Sequence, residues 1–167
     1  MRIEEYAPLI TGALPRGILL NTQGEKFNSM VIGWGHVGVL WSLPVFVAYV
    51  RQSRYTKAQL DRTGEFTVSA PLEGGRLSQE VMRVCGSQSG RDVDKGGLFT
   101  LLPGKSVGVP AIAEYPVTLE CRVLYRQDQC LESIPENIRA RFYARGTDAG
   151  DFHTAYFAQI LEAYTVR

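Results

Sequence analysis

The residues best suited to chemistry lie between a predicted strand and a predicted helix, in the sequence VRQSRYT at positions 50–56. This segment supplies two guanidinium groups, from Arg51 and Arg54, and two hydroxyl groups, from Ser53 and Thr56. The first turn of a helix adds backbone N–H groups and a partial positive charge. Together these donors are typical of a phosphate site. The alternative is that both arginines are solvated surface residues beside an ordinary loop.

A second polar segment, at residues 86–97, has the composition of a ligand-binding loop. It reads GSQSGRDVDKGG, a glycine-rich loop with two serines, Arg91 and Lys95. Hydroxyl and cationic groups of this kind can donate to a phosphate or to the carbonyl edge of a heterocycle. The alternative is a solvated loop whose charges cancel locally.

The sequence GWGHVG at residues 33–38 has the spacing of the dinucleotide fingerprint G-x-G-x-x-G. That fingerprint needs a helix directly after it and an acidic residue about 20 positions further on. Pro44 and a new strand follow instead, so a Rossmann nucleotide site is not expected. The glycines are better explained by close approach of the backbone to a flat ligand, with Trp34 beside it. A bulged strand with a core tryptophan is the alternative.

Histidines and cysteines give no independent catalytic set. The two histidines, His36 and His153, are too few for a His-rich metal site. The three cysteines lack the C-x-x-C spacing of zinc and redox sites and are expected to be reduced: Cys85, Cys121 and Cys130. Cys121 lies on the apolar side of a predicted strand, and Cys85 on the apolar face of a predicted helix, so both are expected to pack in the core. Chemistry would therefore have to come from a bound cofactor.

Hydrophobic patterns predict a mainly β domain that positions these segments. Strands are predicted at residues 17–22, 26–32, 45–50, 65–70, 117–126 and 154–166. Helices are predicted from a capping box at Thr56–Gln59 to Gly64, at residues 77–86, and at residues 134–143. The helices are too few to connect parallel strands, so an antiparallel barrel or sandwich with short peripheral helices is expected.

Composition limits the classes of function. The 167 residues fit one domain, residues 1–167, and a net charge of +1 gives no basic field for nucleic acid. No apolar run is long enough for a transmembrane helix, and the N-terminus has no signal-peptide pattern. A protein without nucleic-acid or membrane partners is predicted, and the cytoplasm is the expected location.

Four segments, in this order, resemble the flavin reductase-like proteins, and most closely their flavoredoxin-like branch. They are NSMVIGWG at 28–35, VRQSRYT at 50–56, CGSQSGRDVDK at 85–95 and HTAY at 153–156. The resemblance implies an FMN-binding split β-barrel with antiparallel Greek-key connections. It also implies a homodimer that holds FMN noncovalently in a cleft near the dimer interface.

The resemblance assigns roles by position. The phosphate end of FMN would be bound by Arg51, Ser53, Tyr55 and Thr56. The isoalloxazine ring would be lined by Asn28, Met30, Trp34 and Gly35. The other side would be closed by Ser89, Arg91, Asp92 and Lys95. Lys95 is the best candidate for a charge that tunes the flavin, and His153 and Tyr156 would lie near the ring or across the dimer.

The family implies a flavin reductase that takes a hydride from NADH or NADPH and passes electrons to free flavin, a partner protein or another acceptor. Two alternatives stay open: an FMN-binding electron carrier reduced by a protein partner, and a dimeric structural domain that has lost its flavin. Loss of the flavin is disfavoured, because the residues that would bind it are all present: Arg51, Ser53, Thr56 and Lys95. Family members are expected to continue beyond Arg167 with a tail near the flavin, so the nicotinamide side is less defined here.

Overall fold

The computed structural model describes residues 3–144 and 149–166. The strands in these ranges are β1 (Ile18–Gln23), β2 (Phe27–Ile32), β3 (Gly35–Leu40), β4 (Leu43–Arg51), β5 (Glu65–Ala70), β6 (Leu101–Leu102), β7 (Ala111–Ile112), β8 (Val117–Asp128) and β9 (His153–Thr165). The α-helices are α1 (Ile3–Ala13), α2 (Tyr55–Thr63), α3 (Gln79–Ser87) and α4 (Glu136–Phe142). Single 3₁₀ turns occur at Leu14–Arg16, Gly96–Leu98 and Leu131–Ser133.

Seven strands form one antiparallel sheet in the order β2-β1-β5-β8-β9-β4-β3, and β6 pairs with β7. The pairs β1–β2 and β3–β4 are hairpins, whereas β5 returns beside β1 and β9 lies between β8 and β4. Two register shifts bend β8 against β9. The sheet does not close, because β2 and β3 remain as its edges. This open, curved antiparallel sheet with short helices confirms the predicted split barrel.

The concave side of the sheet holds the main apolar core. Its fully buried members include Leu20, Phe46, Phe66 and Leu119. Helix α1 packs on this core through Ile10 and Ala13. Helix α1 is not predicted from the sequence, because its interior proline and glycine are poor helix formers. The buried contacts of its apolar face stabilise a helix that propensity alone does not favour.

The glycine-rich segment of residues 33–38 forms the start of an edge strand. Residues Gly35 to Leu40 pair with β4, so no helix follows the fingerprint and the rejection of a Rossmann turn is confirmed. Trp34 is 41% exposed, so the core-tryptophan alternative is wrong.

The start of α2 differs from the prediction. Arg54 is the N-cap residue and makes no side-chain capping bond, so the capping box predicted at residues 56–59 is wrong. Thr56 lies inside the first turn, where its hydroxyl accepts a hydrogen bond from Asn28 Nδ2 at 2.9 Å. The predicted C-cap is confirmed, since Gly64 has a φ of +66° and ends the helix. The first turn of α2 is therefore hydrogen-bonded to a side chain of β2, since the N-cap side chain of Arg54 does not bond to it.

Within residues 3–144 and 149–166, no helix has the length and apolar character needed to cross a membrane. The same residues contain no cluster of three or more His, Cys, Asp or Glu side chains suited to a metal ion. Core packing of Cys85 and Cys121 is confirmed, and burial raises the pKa of the Cys121 thiol well above its ordinary value.

Candidate functional site

A cavity of about 310 Å³ lies where the ends of β2 and β4 and the first turn of α2 meet the loop after α3. Its volume is at the lower end of the range for small-molecule sites. Most residues predicted from the sequence line it: Asn28, Met30, Trp34, Arg51, Ser53, Tyr55, Thr56, Ser89, Lys95 and His153. The fold therefore brings segments far apart in sequence to one cleft.

Three of the residues predicted to bind FMN directly do not line this cavity. Gly35 packs against Phe46, where an added Cβ would lie 2.8 Å from a ring carbon, so it serves close packing of the strand. The guanidinium of Arg91 lies over the Tyr55 ring, 5.3 Å from its centroid. Asp92 is exposed on the loop. Direct flavin contacts of these residues remain predictions.

The two residues assigned loosely to the ring are in different places. His153 lines the cavity, with its ring centroid 5.0 Å from that of Trp34 and its Nδ1 2.9 Å from the Tyr143 hydroxyl. Tyr156 is fully buried and donates its hydroxyl proton to Asp61 at 2.6 Å. Tyr156 does not line the cavity, and its place near the ring or across the dimer stays a prediction.

The N-terminal end of α2 forms the anion-binding part of the cavity. The Ser53 N–H and hydroxyl both donate to the carboxylate of Asp151, at 3.1 Å and 2.5 Å. Arg54 lines the cavity beside Ser53, and the first turn of a helix carries backbone N–H groups and a partial positive charge. A negatively charged group of the chain itself already uses part of this donor set.

Arg51 has a structural role in addition to its predicted one. Its guanidinium donates to the backbone carbonyls of Asp151, at 2.8 Å, and Phe142, at 3.0 Å. It also lies over the Tyr143 ring, 5.2 Å from the centroid. Arg51 thus joins the end of β4 to the end of α4 and the start of β9. Phosphate binding by Arg51 remains a prediction.

Lys95 places a cation in the cavity wall. It is 2% exposed, and its Nζ donates to the Ser29 carbonyl at 2.8 Å. Burial lowers the pKa of the Lys95 ammonium, the neighbouring Cys85 thiol opposes this shift, and the charge of Arg54 adds to it. A partly desolvated cation beside a cavity can stabilise negative charge on a bound ring.

Asn28 presents an acceptor that the described residues leave unused. Its Nδ2 donates to Thr56, but its buried Oδ1 has no hydrogen-bond partner among them. Gly90 lies against this oxygen, and an added Cβ would be 2.0 Å from it. Buried acceptors without partners are rare, and a ligand N–H is one group that could satisfy such an atom. The cavity thus combines anion donors, an aromatic wall, a cation and an unused acceptor, a set that fits FMN.

A second cavity of about 620 Å³ adjoins the first and shares Gly33, Trp34 and Tyr49 with it. Trp34 stands between the two cavities and makes an edge contact with Phe142, at 5.2 Å between centroids. Among the described residues, those that line this cavity include no Lys, Arg, Asp or Glu. Its aromatic lining residues are Trp34, His36, Tyr49, Phe142 and Tyr143.

Several lining residues were not predicted as site residues. They include Val31, Ile32, Tyr49 and Cys85. Tyr49 could have been found, because it is two positions before Arg51 in β4 and side chains two apart share one face of a strand. Cys85 was assigned to core packing; it is 3% exposed and also lines the cavity.

Comparisons with known proteins agree with this architecture. The family described as flavin reductase like domain matches residues 11–165. An uncharacterized protein of Archaeoglobus fulgidus is 32% identical over 124 residues, or 73% of this chain and 64% of that protein. The chain therefore spans less than two thirds of the length of this curated relative.

Solved structures give the same result. The flavoredoxin from Methanosarcina acetivorans is 27% identical, with a TM-score of 0.65 over 91% of this chain and 69% of that one. An NADH:FAD oxidoreductase of Streptomyces globisporus is 18% identical, with a TM-score of 0.64 over 90% of this chain and 75% of that one. The second likeness shows the fold alone.

Proposed function

Because the chain belongs to the flavin reductase like domain family, whose members include flavin-binding oxidoreductases and electron carriers, we propose that it is an FMN-binding oxidoreductase that uses NADH or NADPH. The observation that carries the proposal is the cavity at the start of α2. It joins anion donors at Ser53 to the aromatic wall at Trp34 and the buried cation at Lys95. When bound, FMN would supply the redox chemistry by accepting a hydride at N5 and passing electrons to an acceptor.

The residues of the chain bind and orient the cofactor. Ser53 and the first-turn amides of α2 would donate to the phosphate. Met30 and Trp34 would give the ring an apolar and aromatic contact surface. Lys95 would donate to the electron-rich edge of the ring, which favours the form that carries more negative charge. The second cavity, behind Trp34, gives an electron donor or acceptor a route to the first.

An FMN-binding electron carrier is the second candidate. The flavoredoxin likeness supports it, as does the charge-free lining of the second cavity among the described residues. A pyridine dinucleotide carries phosphates that cationic side chains usually bind. If NADH and NADPH gain little from this cavity, electrons would come from a protein partner.

An anaerobic absorbance experiment separates the two candidates. Protein loaded with FMN is mixed first with NADH and then with NADPH, and free FMN at the same concentration is the control. A reductase bleaches the yellow flavin band well above the rate of free FMN. Tight binding without bleaching would support the carrier, and no binding of FMN would refute both.

We also propose that the chain works as a homodimer, as the family resemblance implies. The hairpin formed by edge strand β3 and β4 supports this proposal, because Val39 is 78% exposed and Trp41 is 62% exposed. Light scattering during size exclusion should give twice the mass of one chain, and a single-chain mass would contradict the proposal. Free flavin or a protein as electron acceptor, and a cytoplasmic location, stay predictions.

A further inference from the structure

The carboxylate of Asp151 lies at the position that the proposed function gives to a phosphate. Its two oxygens accept from the N–H and the hydroxyl of Ser53, at 3.1 Å and 2.5 Å. These donors lie at the N-terminal end of α2, a helix of nine residues. The first group that an incoming phosphate meets there is therefore another anion.

The sheet fixes the position of Asp151. Arg51 in β4 pairs with His153 in β9, and the Gln52 N–H donates to the Phe152 carbonyl at 3.0 Å. The Arg51 guanidinium holds the Asp151 carbonyl at 2.8 Å. The Gly150 N–H also donates to the Tyr143 carbonyl, at 2.8 Å, so the backbone is hydrogen-bonded on both sides of Asp151. Rotation of the Asp151 side chain is therefore the smallest movement that would release Ser53.

We propose that Asp151 is a specificity-determining residue that removes most of the preference of the flavin site for FMN over riboflavin. The inference rests on the proposed function, since it concerns the same site. A phosphate must displace the carboxylate from Ser53 and then remain near a like charge, which opposes binding. The terminal hydroxyl of riboflavin is uncharged and can instead donate a hydrogen bond to the carboxylate.

Cations at this end of the cavity keep FMN binding possible. Arg51 and Arg54 line the cavity, and Arg91 donates to the Ser53 carbonyl at 3.4 Å. Their charge attracts a phosphate, whereas Asp151 repels it. The two effects oppose each other, so the wild type is expected to bind FMN and riboflavin with similar affinity.

The test measures the dissociation constants of FMN and riboflavin, by flavin fluorescence, for the wild type and Asp151→Asn. Asparagine keeps one oxygen that can accept from Ser53, removes the charge, and places an NH2 group where the second oxygen was. The variant is expected to bind FMN about fivefold more tightly, or more, which is about 1 kcal/mol of relieved repulsion in a solvated site. Its affinity for riboflavin should stay the same or fall. Glu73→Gln, an exposed residue that lines neither cavity, controls for net charge.

Further measurements check that the variant folds and that its effect on FMN affinity depends on Ser53. Thermal melting checks that Asp151→Asn folds, and Asp151→Ala repeats the test without an acceptor on the side chain. Adding Ser53→Ala to Asp151→Asn should cancel the gain for FMN, because the donors that the phosphate would use are then reduced. A gain that survives Ser53→Ala would contradict the assignment to this position.

The outcomes separate the inference from the proposed function. If the wild type binds both flavins and Asp151→Asn leaves FMN affinity unchanged or weaker, the inference fails while the proposed function stands. If the wild type binds neither flavin, the proposed function fails and the inference falls with it. Equal tightening of both flavins would also overturn the inference, because the effect would not concern the phosphate.

Discussion

Replacing Lys95 with methionine is expected to stabilise the fold and to weaken FMN binding. The ammonium is 2% exposed and donates to the Ser29 carbonyl at 2.8 Å. Desolvation of such an ion costs several kcal/mol, whereas a hydrogen bond from a charged group contributes about 1.5 to 3 kcal/mol. Methionine is unbranched and adapts to irregular space. We expect the free energy of unfolding to rise by about 1 kcal/mol.

The stability difference between the wild type and Lys95→Met depends on pH through the pKa of Lys95. Burial lowers the pKa of Lys95 in the folded state below its ordinary value of 10.5. Between these two pKa values the unfolded state binds more protons at Lys95 than the folded state does. The free energy of unfolding of the wild type therefore rises with pH through that window. The advantage of Lys95→Met should be fully present at pH values below the folded pKa and shrink as the pH rises towards 10.5.

Urea unfolding of both proteins, from neutral to alkaline pH, measures the difference directly. Comparing the two removes the titrations that they share, such as those of the tyrosines. The titration of Cys85 is not shared, because burial raises the pKa of its thiol and the charge of Lys95 opposes this shift in the wild type. FMN affinity should fall about tenfold, because a charge-assisted contact is lost. Lys105→Met, at an exposed lysine away from both cavities, should leave FMN affinity unchanged. A variant that is less stable than the wild type, or a difference that does not depend on pH, would refute the reasoning.

Three further changes test other parts of the structure. Arg51→Ala removes two hydrogen bonds to carbonyls, so the free energy of unfolding in urea titrations should fall by about 2 kcal/mol. FMN affinity, measured by fluorescence titration, should fall about tenfold, and unchanged affinity would exclude the predicted phosphate role. Trp41 and Ser42 have φ values of +53° and +61°, which Asn and Gly adopt more readily. Replacing the pair by Asn-Gly should therefore raise the free energy of unfolding by about 1 kcal/mol. A lower melting temperature would show that the tryptophan is needed for stability. Glu120→Gln, which leaves an amide among three backbone N–H donors, should cost about 3 kcal/mol in urea unfolding, and a loss below about 1 kcal/mol would contradict this.

Much of the fold could be predicted from local patterns. The alternating residues of β8 and the apolar run of β4 predicted strands close to their observed bounds, and Gly64 marked the end of α2. Helix α1 and strand β3 could not be predicted in this way. The proline of α1 and the glycines of β3 are unfavourable locally, and both elements form because the rest of the chain packs or pairs with them.

The sequence predicted which segments meet at the cavity, but it did not predict several of the contacts that their side chains make. Ser53, Trp34 and Lys95 were assigned to one flavin site by the family resemblance, and they line one cavity. The bonds of Arg51 to carbonyls of residues 142 and 151 depend on the distant start of β9 and end of α4. No local pattern connects residues so far apart, and for the same reason Asp151 could not be predicted as the partner of Ser53.

The most direct test of the account is a crystal structure of the protein grown with FMN. The account predicts that the phosphate lies at Ser53 and the first turn of α2, with the ring beside Trp34 and Lys95. Displacement of the Asp151 carboxylate from Ser53 is expected in the same structure. Flavin bound elsewhere on the chain, or a cavity that stays empty at saturating FMN, would contradict the central claim.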